Sequence, residues 1–340
     1  MNRARDHVEN RIDQVLAKHA GKHVGVAVGV RHEGETFVVG RGRVAADRPS
    51  APDAHTIFEI GSITKVFTAT VLADMAREGL VALDDPVQRY LPDGVEMPVR
   101  GRPITLADLA SQTSGLPRVP KGLLRLALRE RSNPYANFTV EHLHAAVPAT
   151  KPRRAPGTKI RYSNYGPGLL GHVLALRAGE SYFDLVSERV LRPLGMTDTH
   201  ITVPDDKLER FAQGHNRRGR PVPNWDLPAL AGAGALRSTV ADLLSLLGAQ
   251  LGDAPPSLSE AIRTTHQIRA RRKGLAIGLG WFSMELKGQR FPVLWHDGGT
   301  GGFRSVAGFV AETQTAAAVL SNSARSVNRI GVKVLEAIGG

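Results

Sequence analysis

"EIGSITKVFTATVLADMA", residues 59–76, decides how the rest of the chain is read. Val66, Phe67, Ala69, Leu72, Ala73, Met75 and Ala76 recur at helical spacing, with Ser62 near the first turn. Lys65 sits inside this apolar pattern. Positions i and i+3 share one face of a helix, so the Lys65 amine can reach the Ser62 hydroxyl. Near the helix N-terminus and partly desolvated, a lysine loses protonated character and becomes a usable base. A serine beside a neutral amine is an activated nucleophile. The plain alternative is that Ser62 caps the helix and Lys65 runs its ammonium out to water. An S-x-x-K match occurs about once by chance in a chain of this length, so the motif alone does not decide between the two.

Two further stretches carry the decision. The first is Tyr162-Ser163-Asn164 in "PGTKIRYSNYGPGLLGHVL", residues 156–174, a turn-rich segment leading into a helix. A Tyr162 hydroxyl near Lys65 can relay protons, and the Asn164 amide can hold both Lys65 and a substrate carbonyl. A core tyrosine followed by a helix-capping serine or asparagine would read the same way. The second is "WHDGGTGGFRS", residues 295–305, where His296-Asp297-Gly298-Gly299 ends an expected strand. Glycines there let a ligand approach the backbone of the strand edge. A glycine-rich hairpin loop with a surface histidine is the competing reading.

With these three stretches in order, the sequence resembles the penicillin-recognising serine acyltransferases. These are the class C-type β-lactamases, low-molecular-mass DD-peptidases, and related esterases and D-amino-acid peptidases. S-x-x-K falls at Ser62–Lys65, Y-x-N at Tyr162–Asn164, and the family's K-T-G box is His296-Asp297-Gly298. "LASQTSGLP" (109–117), "VLRPLGMTDT" (190–199), "GAGALRSTVADL" (232–243) and "VLSNS" (319–323) extend the likeness along nearly the whole chain. The resemblance implies an acylated Ser62, with Lys65 and Tyr162 sharing the base and acid duties. It also implies that Asn164 orients the substrate, and that the N–H groups of Ser62 and Gly299 form an oxyanion hole. His296, Gly298 and Gly299 would bind substrate.

There are departures from the family pattern. His296 stands where many members carry lysine. As a weaker, titratable cation lining the cleft, it is expected to reduce carboxylate recognition. No S-D-N motif or class A-type deacylating glutamate is evident. Gly234 falls where class C enzymes place a bulky tyrosine, and Trp225 is a candidate aromatic wall. Slow β-lactam hydrolysis is therefore expected, with better turnover of short acyl esters or D-configured peptide amides. A DD-peptidase or D-aminopeptidase, an acyltransferase to a non-water acceptor, and a non-catalytic penicillin-binding sensor share the same acylation machinery.

Composition agrees with an ordinary globular protein: 340 residues, 42% hydrophobic, 22% charged and no cysteine. The missing cysteine excludes disulfides, a thiol nucleophile and cysteine-ligated metal. The net charge is +12, with basic clusters at Arg125–Arg131, Lys151–Arg154, Arg217–Arg220 and Arg269–Lys273. With only 5% aromatics and clusters set among Pro and Gly, these read as solvated loops, and nucleic-acid binding is not expected. No P-loop, G-x-G-x-x-G, H-E-x-x-H or G-x-S-x-G occurs. His142 and His144 are two apart on an expected helix and make a poor metal pair. No cofactor or metal is expected; the partner is a small ester, amide or short peptide. Met1–Ala20 is charged and helix-like without a secretory apolar core, and no stretch is long enough to span a bilayer, so a cytoplasmic protein is expected.

The expected fold is α+β. Strands at His23–Arg31, Thr36–Arg43, Leu279–Lys287, Phe291–His296, Ser305–Val310 and Ala316–Leu320 share one antiparallel sheet flanked by helices. Residues 1–60 plus 270–340 form this sheet-and-helix part of one β-lactamase-like domain. Residues 61–269 form a large, mostly helical insertion, and the site lies in the cleft between the two.

Overall fold

The structure is a computed structural model that describes residues 2–286 and 290–339. Its centre is an eight-stranded antiparallel sheet. The N-terminal hairpin, β1 (Gly25–His32) and β2 (Glu35–Gly42), turns at Glu33-Gly34, where both residues have positive φ. β1 then pairs with the last strand, so the chain's two ends share the sheet as expected.

The short β3 (Phe58–Glu59) and β4 (Arg237–Ser238) form a separate two-stranded ladder. The large sheet continues with β5 (Ala270–Arg272), β6 (Leu275–Ile277), β7 (Phe282–Met284), β8 (Val293–Gly299), β9 (Arg304–Val310) and β10 (Thr315–Ser321). Its order is β2-β1-β10-β9-β8-β7-β6-β5. The expected strand Leu279–Lys287 is thus shorter, and Lys287 lies outside the described residues. The basic cluster at residues 269–273, read as a loop, contains the edge strand β5. Exposed arginines on an edge strand discourage another chain from pairing with it.

Helices cover both faces of the sheet. Asn2–His19 and Asn328–Gly339 pack on each other and on one face, over a core that includes Val28, Val319 and Val334. Val240–Gly248 packs on the opposite face against β1 and β10. The helix Thr64–Arg77 is buried from Thr64 to Met75 and is apolar on almost every side, the pattern of a central helix rather than a surface one. Its polar side chains find partners: Thr68 Oγ1 donates to the Gly232 carbonyl at 2.8 Å, and Asp74 pairs with Arg77 and Arg189. Among the described residues, no helix is long and apolar enough to cross a membrane.

Candidate active site

A 3₁₀ turn, Gly61–Ile63, runs directly into the helix Thr64–Arg77 and carries Ser62. Gly61 has φ +49°, and a Cβ there would stand 2.6 Å from the Gly299 nitrogen. Glycine is therefore what lets the serine turn touch the end of β8. A Cβ at Gly298 would collide with the Ile60 carbonyl on the same seam. β7 pairs with β8 only as far as Trp295, whereas β9 pairs with it through Gly299. The His296–Gly299 stretch thus runs past its neighbour β7 and ends at the serine.

Ser62 does not cap the helix. The N-cap position is Ile63, which makes no side-chain cap bond. The Ser62 hydroxyl lies instead 2.7 Å from Lys65 Nζ and accepts a 2.6 Å hydrogen bond from the Tyr162 hydroxyl. Lys65 does not reach water either. It is 2% exposed, and its amine also meets Asn164 Oδ1 at 3.1 Å and the Ala233 carbonyl at 2.6 Å.

Burial, reinforced by the nearby Arg118 charge, holds the Lys65 pKa well below the usual lysine range, with Asp297 pulling the other way. Burial pushes Tyr162 up, and its bond to Ser62 only partly offsets this. Both shifts favour the uncharged forms, amine and phenol. Ser62 can give its proton to Lys65 while accepting a hydrogen bond from Tyr162. The Tyr162 ring is fixed between the Lys65 amine, its Nζ 5.1 Å from the centroid, and the Arg118 guanidinium at 5.3 Å.

The Tyr162–Asn164 segment is held from below. Gln112 accepts the Ser163 N–H at 2.6 Å, and the Ser163 hydroxyl donates to the Pro117 carbonyl at 2.7 Å. Ser163 Oγ also receives the Gly166 N–H at 3.1 Å, so the capping role belongs to Ser163. That leaves the Asn164 side chain free to bridge Lys65 and the Tyr135 hydroxyl, the latter at 2.9 Å. Nothing in the sequence marked Tyr135. Its ring packs 5.5 Å from Trp225, whose indole N–H donates to the Ser132 carbonyl at 2.9 Å. The Trp225 backbone N–H is taken by Glu59, a carboxylate 3% exposed and pushed up to about 7 by burial.

Ser62, Tyr162, Asn164, Gly298 and Gly299 line one cleft of about 760 Å³, with Lys65 beneath it. Arg118, Asp297, Trp225 and Arg304 also face it. Trp225 therefore supplies the aromatic wall. His296 departs from expectation. Its ring is 1% exposed and packs behind Tyr162 at 6.3 Å and against Phe282 at 5.5 Å, so it backs the site rather than lining the cleft. Strand alternation turns it inward, and the next residue, Asp297, is the one that faces the cleft. Burial, and then the Lys65 charge, lower its pKa to about 4, so it is a neutral ring and not a titratable cation near neutral pH. The Asp297 carboxylate accepts from the Asn328 amide at 3.0 Å. Gly234 is likewise buried, against Gly61 and Leu227, and does not form the cleft wall. His144 pairs with His172, with Nε2 atoms 2.8 Å apart, and not with His142.

A helix-borne serine held by a buried amine and a phenol, beside the end of an antiparallel strand, has the layout of an acyl-transfer site. The family model described as Beta-lactamase matches residues 7–337, and the chain belongs to that family. It is 31% identical over 301 residues to the D-alanyl-D-alanine-carboxypeptidase/endopeptidase AmpH of Escherichia coli (strain K12), covering 82% of this chain and 76% of that protein. It is also 31% identical over 262 residues to a beta-lactamase of Pseudomonas fluorescens, covering 76% and 68%. A solved beta-lactamase from Sulfitobacter sp. EE-36 superposes with a TM-score of 0.84 at 25% identity, covering 98% of this chain and 97% of the other.

Proposed function

We propose that this protein is a serine hydrolase that cleaves esters or amides, β-lactams among them, through an acyl-Ser62 intermediate. The observation that carries the reading is the single hydroxyl of Ser62 contacted at once by Lys65 and Tyr162, at 2.7 and 2.6 Å. Ser62 Oγ attacks the carbonyl carbon and passes its proton to the neutral Lys65 amine. The oxyanion is received by the N–H groups of Ser62 and Gly299, whose backbones meet at Gly61. The bond to the leaving nitrogen or oxygen then breaks, and a proton travels from Lys65 through Tyr162 to the leaving group. Water repeats the sequence on the acyl-serine, with Lys65 and Tyr162 again moving its proton. Asn164 keeps the Lys65 amine in place from one side, and Tyr135 fixes Asn164 from the other.

Substrate preference follows from the cleft wall. Val119, Leu123, Leu124 and Ala127 supply one apolar side. His296, being buried and neutral, supplies no cation to a substrate carboxylate, and Asp297 stands nearby. The apolar side, the missing His296 cation and Asp297 favour acyl esters and uncharged amides over penicillins, against the pull of Arg118 and Arg304 on the same cleft. The test compares kcat/KM for nitrocefin, p-nitrophenyl butyrate and a D-alanyl peptide on one preparation. The butyrate ester is expected to lead and nitrocefin to turn over slowly. Nitrocefin turnover above about 10⁷ M⁻¹s⁻¹, near the diffusional range, would overturn the preference.

A further inference from the structure

The basic cluster of residues 125–131 is not used by the chemistry, and its position gives it a second meaning. It belongs to "RVPKGLLRLALRERSNP", residues 118–134, which forms one rim of the cleft. The rim carries five cations, Arg118, Lys121, Arg125, Arg129 and Arg131, and one acid, Glu130, whose carboxylate accepts from Ser132. Within it, the short helix Leu123–Ala127 is anchored by Leu123, which is 2% exposed. Leu124 and Leu128, four residues apart, point the other way at 68% and 65% exposure. They are the two most exposed large apolar side chains among the described residues. Single exposed leucines are ordinary, but two adjacent ones ringed by arginines are not.

We propose that this rim docks on an anionic lipid bilayer. Outward leucines enter the headgroup–acyl boundary, and the surrounding cations meet lipid phosphates. The leucines decide between anionic partners. Arginines alone serve a nucleic acid or an acidic peptide equally well, whereas the exposed leucines gain only from a partner that also offers apolar surface, as the headgroup–acyl boundary does. Leu124 also lines the cleft, together with Val119 and Ala127, so docking turns the mouth above Ser62 toward the lipid. An amphiphilic acyl substrate would then enter along an apolar wall. The docking itself is independent of the hydrolytic reading.

Flotation with vesicles of equal parts phosphatidylglycerol and phosphatidylcholine tests it. The full chain should float at low salt, be released by high salt and ignore pure phosphatidylcholine. Leu124→Ser with Leu128→Ser, and separately Arg125, Arg129 and Arg131→Gln, should each lower partitioning by at least about tenfold. Replacing Arg269, Arg271 and Arg272 by Gln removes the same charge elsewhere and should leave flotation near wild type. Circular dichroism melts confirm that each variant is folded. Ser62→Ala should float as wild type does, which separates this result from any failure of the catalytic reading. No flotation of the wild type overturns the proposal, as does equal loss in the two arginine variants. Indifference to the leucine pair, with tight heparin binding, would assign the rim to soluble polyanions and also overturn it.

Discussion

On the floor of the cleft, the Lys65 amine is 2% exposed and meets three oxygen atoms, while on the rim Leu124 is 68% exposed in an arginine-rich stretch. The floor is polar and buried; the rim is apolar and wet. Each inverts the usual burial rule, and each inversion has a use. Desolvation lowers the Lys65 pKa well below that of an exposed lysine, the direction a base needs. Exposure leaves the rim free to meet something outside the molecule. The cost on the floor is offset by a closed set of hydrogen bonds running Tyr135–Asn164–Lys65–Ser62–Tyr162. Glu59 and Trp225 join the two regions, because the floor-side carboxylate holds the backbone of the rim tryptophan.

Breaking the floor should give the largest effect. Lys65→Ala and Tyr162→Phe should each lower kcat by at least about a hundredfold. Because the two contact one hydroxyl, the double variant should be little worse than the worse single. Steady-state kinetics over pH should show activity falling in acid as Lys65 takes a proton, with that limb well below the ordinary lysine range. Multiplicative losses, or a limb near pH 10, would mean that the floor does not act as a unit.

The joint comes next. Glu59 holds its proton more tightly folded than unfolded, with its pKa raised from 4.5 to about 7. Its contribution to stability is therefore present below pH 4.5 and is lost as pH rises through 7. Glu59→Gln does not titrate, so urea melts should show its stability gaining on wild type between pH 5 and pH 8. The full gain should approach about 3 kcal/mol. A pH-independent difference would show that the carboxylate is not strained by burial. The rim should give the smallest effect. Leu124→Ala is expected to lower the preference for p-nitrophenyl octanoate over the acetate about threefold, since so exposed a side chain contributes little. A hundredfold change there would make the rim part of the floor.

The floor was legible in the sequence and the rim was not, for a physical reason. Spacing alone puts Ser62 and Lys65 on one helix face, whereas it was the resemblance to the family that joined Tyr162 and Asn164 to them. The outer strands follow from apolar periodicity. His296 was misplaced because a motif names a residue without saying which face of β8 its ring takes. Strand pairing and the packing of Phe282 settle that. Tyr135 and Arg118 reach the site from a loop, by contacts that no local pattern encodes. β5 and β6 were missed because strands of three residues carry too little alternation to read.

The most direct test of the central claim is intact-mass spectrometry after incubation with a chromogenic cephalosporin and, separately, a fluorophosphonate. The account predicts one covalent adduct per chain, mapped to the Ser62 peptide, and none on Ser62→Ala protein, which also loses p-nitrophenyl ester hydrolysis. An adduct elsewhere, or a Ser62→Ala enzyme that hydrolyses the ester at the wild-type rate, would contradict it.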